Sequence, residues 1–167
     1  MITKASIGSW ITINNSSIAE IMADAGFDWL CVDMEHSVID YAEAQQIILA
    51  IQSKGLKAFV RVGENNTRII KRVLDAGADG IIVPSVNSAA EAQKAVDSVK
   101  YPPLGKRGVG LARAQSYGFG FESYRDNASK EIKLAYFKGY YEADGTKRRK
   151  FSIDNPSFAT KGEVLSK

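Results

Sequence analysis

Residues 57–84, with the sequence KAFVRVGENNTRIIKRVLDAGADGIIVP, decide the fold class because they predict a strand, a helix and a second strand. The two ends, 57–62 and 80–84, are short, continuous apolar runs, as strands covered on both faces require. Between them a helix is predicted from about Thr67 to Asp75, ending at Ala76-Gly77. A strand, a crossover helix and another strand predict two parallel neighbours joined by a right-handed connection.

The same alternation continues on both sides of this unit. Further strands are predicted at 5–10 and 27–33, and further helices at 15–25, 41–53 and 88–99. The spacing between successive strands is about 25 residues, which is typical of repeated βα units. The predicted fold class is therefore α/β with a parallel sheet. Doubly wound sheets and (β/α)₈ barrels both fit, and in either fold the active residues belong at the C-terminal ends of the strands.

Composition sets limits on the function. The chain has 167 residues, 45% hydrophobic and 25% charged, which are values typical of globular domains. No stretch approaches about 18 consecutive apolar residues, so neither a membrane span nor a secretory signal is predicted, and a reducing cytoplasm fits. The single cysteine, Cys31, excludes an internal disulfide framework and is predicted to be a buried thiol. The net charge of +3 lies entirely within 131–167, which disfavours nucleic acid as a general partner.

Several polar or aromatic side chains are predicted to meet where the strands end. Trp10 follows the first strand, Asp33, Glu35 and His36 follow the second, and Arg61 follows the third. His36 is the only histidine, and an unperturbed imidazole changes charge between about pH 5 and 8, so it is a candidate base. An arginine can hold a carboxylate through two parallel hydrogen bonds. A base beside an anion clamp suits proton abstraction next to a carbonyl, or the related cleavage of a carbon–carbon bond.

Each of these residues also has a simpler interpretation. His36 can be a surface or packing histidine, Arg61 can form a surface salt bridge, and Asp33 and Glu35 can belong to a solvated acidic turn. Asp75 is predicted at the end of a helix, where the negative end of the helix dipole disfavours a carboxylate. The sequence therefore predicts a partner for Asp75 elsewhere in the fold.

An ordered set of segments across residues 5–130 resembles the HpcH/HpaI aldolase/citrate lyase family, of the 4-hydroxy-2-oxoheptanedioate aldolase and 2-dehydro-3-deoxyglucarate aldolase type. No single segment is decisive, but their order and spacing are specific. The matching segments are Gly8-Ser9-Trp10, Ala25-Gly26-Phe27-Asp28-Trp29, Asp33-Met34-Glu35-His36, Val60-Arg61-Val62, Leu74-Asp75-Ala76-Gly77-Ala78, Ile82-Val83-Pro84 and Tyr101-Pro102-Pro103-Leu104-Gly105-Lys106-Arg107-Gly108.

The resemblance implies a modified (β/α)₈ barrel, homo-oligomers and a divalent metal, Mg²⁺ or Mn²⁺, that acts as a Lewis acid. The implied reaction is reversible retro-aldol cleavage of a 4-hydroxy-2-oxo acid to pyruvate and an aldehyde. His36 would then be the general base, and Asp75 would orient it. Arg61 would hold the substrate carboxylate and stabilise the enolate oxygen. Trp10 and Glu35 would line the substrate pocket. The sequence does not identify the aldehyde.

The resemblance ends near residue 130, which predicts an aldolase-like partial barrel over 1–130 and a divergent tail over 131–167. The family's metal-binding glutamate and aspartate have no counterpart in this chain. A barrel typically needs about 250 residues, so the chain is predicted to be truncated after about the first half.

The tail is aromatic and basic. Asp144-Gly145 between two aromatic segments predicts a β-hairpin, and Lys147-Arg148-Arg149-Lys150 is a basic run. The alternative hypothesis is therefore a catalytically inactive remnant, or an interaction module that binds through its tail.

Overall fold

A computed structural model describes residues 6–137 and 151–152 of the protein. They form one six-stranded sheet in which the strands pair in chain order. The first five strands are parallel, and the sixth runs antiparallel to the fifth. The strands are β1 (Gly8–Ile11), β2 (Trp29–Asp33), β3 (Lys57–Arg61), β4 (Gly80–Val83), β5 (Lys133–Phe137) and β6 (Phe151–Ser152).

A helix follows each of the first four strands, and a fifth helix precedes β5. The helices are α1 (Ser16–Asp24), α2 (Tyr41–Ser53), α3 (Thr67–Asp75), α4 (Ala89–Val99) and α5 (Phe121–Glu131), with a short 3₁₀ helix at Arg113–Gly118. The predicted bounds of α2 and α3 are confirmed. Both helices begin after a residue whose side chain caps the first backbone amides. At α2, Asp40 accepts a hydrogen bond from the Glu43 amide at 2.9 Å, and Glu43 accepts one from the Asp40 amide at 2.8 Å.

The strand order distinguishes between the two parallel folds that the sequence allows. A doubly wound sheet reverses its strand order at a switch point, whereas β1 to β5 are added in one direction without a reversal. Right-handed crossovers in one direction put the connecting helices on the same face of the sheet. The described residues are therefore wound as in a barrel and exclude the doubly wound order.

The core lies between this sheet and its helices. The middle of β2 is fully buried, and Ile47, Ile48 and Ile51 of α2 pack in the same cluster. Cys31 of β2 is inaccessible, and burial raises the pKa of its thiol far above the ordinary value. The prediction of a buried thiol is confirmed.

The tail is described only where it joins the sheet. β5 pairs with β4 from Gly80↔Lys133 to Val83↔Tyr136, so the regular sheet extends past residue 130. The predicted Asp144-Gly145 turn and the basic run at 147–150 lie outside the described residues, and the hairpin stays a prediction. Within the described part of the chain, no helix has the length and apolar character needed to cross a membrane.

Candidate active site

The ends of β2 and β3 bring Asp33 and Arg61 together. The two residues are register partners in the parallel pair, so their side chains leave the sheet side by side. Arg61 Nε donates a hydrogen bond to Asp33 Oδ1 at 2.8 Å, and Arg61 Nη2 donates a second one to Asp33 Oδ2. Asp33 is only 1% exposed. The carboxylate therefore fixes the guanidinium in one orientation at the strand ends.

Asp33 also shapes the turn that carries the candidate base. Its Oδ1 accepts hydrogen bonds from the amides of Glu35 at 3.0 Å and His36 at 3.2 Å, and its carbonyl accepts one from the Ser37 hydroxyl. Burial disfavours the charged carboxylate, but the hydrogen bonds from Arg61 and from the two amides outweigh burial, and they hold the pKa of Asp33 below its ordinary value. One carboxylate thus positions both Arg61 and the backbone of His36.

Arg61 lies between an aromatic ring and two carboxylates. Its guanidinium carbon is 4.6 Å from the centre of the Trp10 ring, and its Nε is 3.3 Å from Glu35 Oε2. The hydrogen bond to Asp33 raises the pKa of Arg61 further, so the group stays charged. Because Asp33 occupies the Nε–Nη2 side, the Nη1–Nη2 end is the side that can take a substrate carboxylate through two parallel hydrogen bonds.

His36 is placed for access to solvent and substrate. Its side chain is 69% exposed, and its Nε2 is 3.6 Å from Glu35 Oε1, slightly beyond hydrogen-bond distance. Glu35 therefore stands between the imidazole and Arg61. The five residues Trp10, Asp33, Glu35, His36 and Arg61 are called the strand-end site below.

The structure does not bring Asp75 to this site. Asp75 is the last residue of α3, which runs back from the C-terminal end of β3 toward the N-terminal edge of the sheet, whereas His36 follows the C-terminal end of β2. The expected pairing of Asp75 with His36 is therefore not formed within the described chain. Instead, Asp75 Oδ1 accepts hydrogen bonds from Arg107 Nη2 at 2.8 Å and Gln115 Nε2 at 3.2 Å. Arg107 is the partner that a carboxylate at a helix C-terminus requires.

Sequence reasoning missed the role of Arg107. Its side chain is fully buried, its Nη1 lies 3.1 Å from the Tyr124 hydroxyl, and its guanidinium lies 4.8 Å from the centre of the Tyr101 ring. This cluster fastens the segment after α4 to the end of α3. The only signal for it in the sequence is an arginine just after a proline-rich connector, which carries no information about its partner.

The described residues do not fit a divalent metal. Residues 6–137 and 151–152 contain no group of three or more His, Cys, Asp or Glu side chains arranged to hold a metal ion. Within the strand-end site, Asp33 and Glu35 both contact the guanidinium of Arg61, whose fixed positive charge opposes a cation at the same place. The expected glutamate and aspartate ligands are not supplied by this part of the chain.

Comparison with known proteins identifies the family. The model of the HpcH/HpaI aldolase/citrate lyase family matches residues 6–139, which is most of the chain. The chain belongs to this family. The expectation drawn from the ordered segments is confirmed, and the match extends past residue 130 into β5.

Curated relatives with similar sequences are named as aldolases. The chain is 44% identical over 116 residues to the 2-dehydro-3,6-dideoxy-6-sulfogluconate aldolase of Pseudomonas putida, a match that covers 69% of this chain and 46% of the relative. It is also 44% identical over 128 residues to the hydroxypyruvate/pyruvate aldolase of Roseobacter denitrificans, covering 76% of this chain and 50% of the relative. The chain thus spans about half the length of these relatives.

Solved structures of the family share the fold. The HpcH/HpaI aldolase of Desulfitobacterium hafniense DCB-2 matches with a TM-score of 0.71 and 29% identity, over 80% of this chain and 52% of that one. A family protein of Burkholderia cenocepacia J2315 matches with a TM-score of 0.71 and 32% identity, over 78% of this chain and 54% of that one. The α/β architecture with its parallel sheet is therefore that of the family.

Proposed function

We propose that the protein is a carbon–carbon lyase that reversibly cleaves a 4-hydroxy-2-oxo acid to pyruvate and an aldehyde. The observation that carries the proposal is the strand-end site, in which Asp33 fixes Arg61 beside the exposed imidazole of His36. An anion clamp and a base at neighbouring strand ends are the two groups needed to hold a 2-oxo acid and to move a proton from it.

The proposed chemistry runs through these side chains. In cleavage, His36 takes the proton of the C4 hydroxyl, the C3–C4 bond breaks, and its electron pair forms the enolate of pyruvate while the aldehyde leaves. Arg61 holds the carboxylate through its Nη1–Nη2 end and stabilises the negative charge that develops on the enolate oxygen. His36 then gives the proton taken from the C4 hydroxyl to C3 of the enolate, which yields pyruvate. In the reverse direction, His36 removes a methyl proton of pyruvate and gives it to the aldehyde oxygen as the C3–C4 bond forms. Trp10 and Glu35 form walls of the pocket on either side of Arg61.

Other parts of the expected mechanism rest on the family alone. An orienting role for Asp75 remains a prediction that the geometry within this chain does not support. Dependence on Mg²⁺ or Mn²⁺, a (β/α)₈ barrel and homo-oligomers also remain predictions, as does the cytoplasmic location that the composition favours. The donors for such a metal would have to come from outside the described residues, so no step above is routed through one.

The relatives suggest which oxo acid to test. One of them is named as acting with hydroxypyruvate and pyruvate, and others as aldolases of deoxy sugar acids. Their names differ in the second product, so pyruvate is the donor to test first, and the aldehyde is left open.

Exchange of the methyl protons of pyruvate in D₂O, followed by ¹H NMR with Mg²⁺ present, tests the proposal. We expect exchange with the protein, loss of exchange in His36→Ala, and unchanged exchange in Arg68→Ala, an exposed residue of α3. Because His36 is largely exposed, its removal should leave the fold intact, which circular dichroism checks. Absence of exchange in the unaltered protein, or exchange that persists in His36→Ala, would overturn the proposal.

A further inference from the structure

A cavity lies at the opposite edge of the sheet from the strand-end site. It has a volume of about 480 Å³, within the usual range for small-molecule sites. Its walls come from the end of α2, the turn before β4, the 3₁₀ helix and α5. The turn before β4 and the residue before β5 mark the N-terminal edge of these strands. This space, called the basal cavity below, is therefore separate from the proposed catalytic residues.

Arg113 gives the basal cavity a positive charge with only neutral partners. Its Nη1 donates to the carbonyl of Ala76 at 3.1 Å, and its Nη2 donates to Gln52 Oε1 at 2.7 Å. None of the ion pairs found among the described residues includes Arg113. A guanidinium has five N–H groups, and these two hydrogen bonds use two of them.

Three residues that carry hydroxyl groups line the same cavity. Ser116, Tyr117 and Tyr124 all line the cavity. Burial raises the pKa of Tyr124, so its hydroxyl stays protonated at neutral pH. That hydroxyl oxygen accepts a hydrogen bond from Arg107 Nη1 at 3.1 Å.

The backbone holds two of these residues in an unfavourable conformation. Ser116 and Tyr117 have φ values of 49° and 55°, in the left-handed region that residues other than glycine rarely adopt. Such strain concentrates at ligand-binding positions, where surrounding contacts enforce it. Here it places two consecutive hydroxyl-bearing side chains along one wall of the basal cavity.

Two carboxylates also line the cavity, and they affect its charge differently. Asp79 is already paired with Lys57 Nζ at 2.8 Å, and it accepts hydrogen bonds from Gln52 Nε2 and the Ala58 amide, each at 2.9 Å. Glu131 is exposed at the end of α5, and the structure records no ion pair for it within the described residues. The negative charge of Glu131 at the exposed side of the cavity therefore repels a negative ligand, whereas the positive charge of Arg113 attracts one.

We propose that the basal cavity is a binding site for a small oxyanion, a carboxylate or a phosphate, held by Arg113 and the surrounding hydroxyl groups. The guanidinium of Arg113 and the hydroxyl-bearing residues Ser116, Tyr117 and Tyr124 line this space, and an oxyanion is the class of ligand that accepts hydrogen bonds from such groups. This site is independent of the aldolase proposal, because none of its residues belongs to the strand-end site.

Isothermal titration calorimetry on the full chain at low ionic strength, with inorganic phosphate in one arm and succinate in the other, tests this inference. We expect saturable 1:1 binding in at least one arm, and the two arms distinguish a phosphate site from a carboxylate site. Arg113→Gln should weaken binding at least tenfold. Glu131→Gln should tighten binding, because it removes the opposing charge. Arg125→Gln, which changes an exposed arginine elsewhere on α5, should leave it unchanged.

Absence of saturable binding of both probes up to 10 mM, or binding that Arg113→Gln leaves unchanged, would overturn the inference. If Arg113→Gln does not fold, as judged by circular dichroism, Arg113→Lys and Glu131→Gln decide. Binding that Arg113→Lys fails to weaken and Glu131→Gln fails to tighten would also overturn it.

Discussion

Asp33 and Arg61 end neighbouring parallel strands at register positions, and their side chains are joined by two hydrogen bonds, one of 2.8 Å. The pairing of β2 with β3 places the two residues next to each other, so neither residue depends on a loop for its position. The same carboxylate accepts hydrogen bonds from the backbone amides of Glu35 and His36. A single buried acid thus sets the geometry of the whole strand-end site.

Asp33→Asn should destabilise the protein by about 2 kcal/mol, because it removes the negative charge that accepts two hydrogen bonds from Arg61 and leaves Arg61 with Glu35 alone as its ion-pair partner. Urea unfolding followed by circular dichroism measures the change. Asp126→Asn is a matched control, since Asp126 pairs with Arg125 on an exposed surface and should contribute less than about 1 kcal/mol. Equal effects of the two substitutions would show that Asp33 has no special structural role.

The pH dependence of stability should also report on Asp33. Its pKa is lowered in the folded protein relative to about 3.9 in an unfolded chain. A lowered pKa contributes stability that is present above the unfolded value and lost as pH falls through the folded value. The difference in free energy of unfolding between the unaltered protein and Asp33→Asn should therefore be constant near pH 7 and shrink below about pH 4. A difference that grows on acidification would contradict the assignment.

Arg107→Ala should destabilise the protein by about 3–5 kcal/mol, because it leaves the Asp75 carboxylate without its cation and empties a fully buried position. Arg125→Ala, which removes an exposed arginine, should cost less than about 1 kcal/mol. Thermal unfolding of the two variants measures the contrast. A small effect of Arg107→Ala would mean that the buried cluster does not fasten the segment after α4.

Gly77→Ala should be more damaging than Gly26→Ala. Both glycines have left-handed φ values, 105° and 94°, so alanine is strained at either position. A β-carbon at Gly26 meets nothing within 4 Å, whereas one at Gly77 would lie 2.1 Å from Arg113 Nη1. We expect about 1 kcal/mol of destabilisation at Gly26 and clearly more at Gly77, measured by urea unfolding. Equal losses would show that Arg113 moves away without cost.

The helices were predictable because their signals are local. Asp40 and Glu43 form a capping box within four residues, and Gly55 and Gly77 follow the ends of α2 and α3 with left-handed φ values. The segment after α4 was not predictable in detail. Its 3₁₀ helix is held by contacts distant in sequence, such as Arg113 with Gln52, and no periodic pattern records them.

The strand-end site was predictable in part for a similar reason. The rule that parallel strands end at one edge brings Trp10, Asp33 and Arg61 together without knowledge of any side-chain contact. The position of Asp75 follows from the same rule applied to a helix, which runs back to the other edge. What the rule does not supply is the pairing: Asp33 orients Arg61 rather than the imidazole of His36.

The uninterrupted order of β1 to β5 bears on how the chain is made. During synthesis each new strand finds its neighbour already present, since β2 docks on β1, β3 on β2, and so on to β5. Within the described sheet, no gap between β1 and β5 waits for a later segment, as happens when an early strand must be flanked on both sides by strands made afterwards. The Asp33–Arg61 pair can thus form as soon as β3 leaves the ribosome, well before the basal cavity is completed by α5.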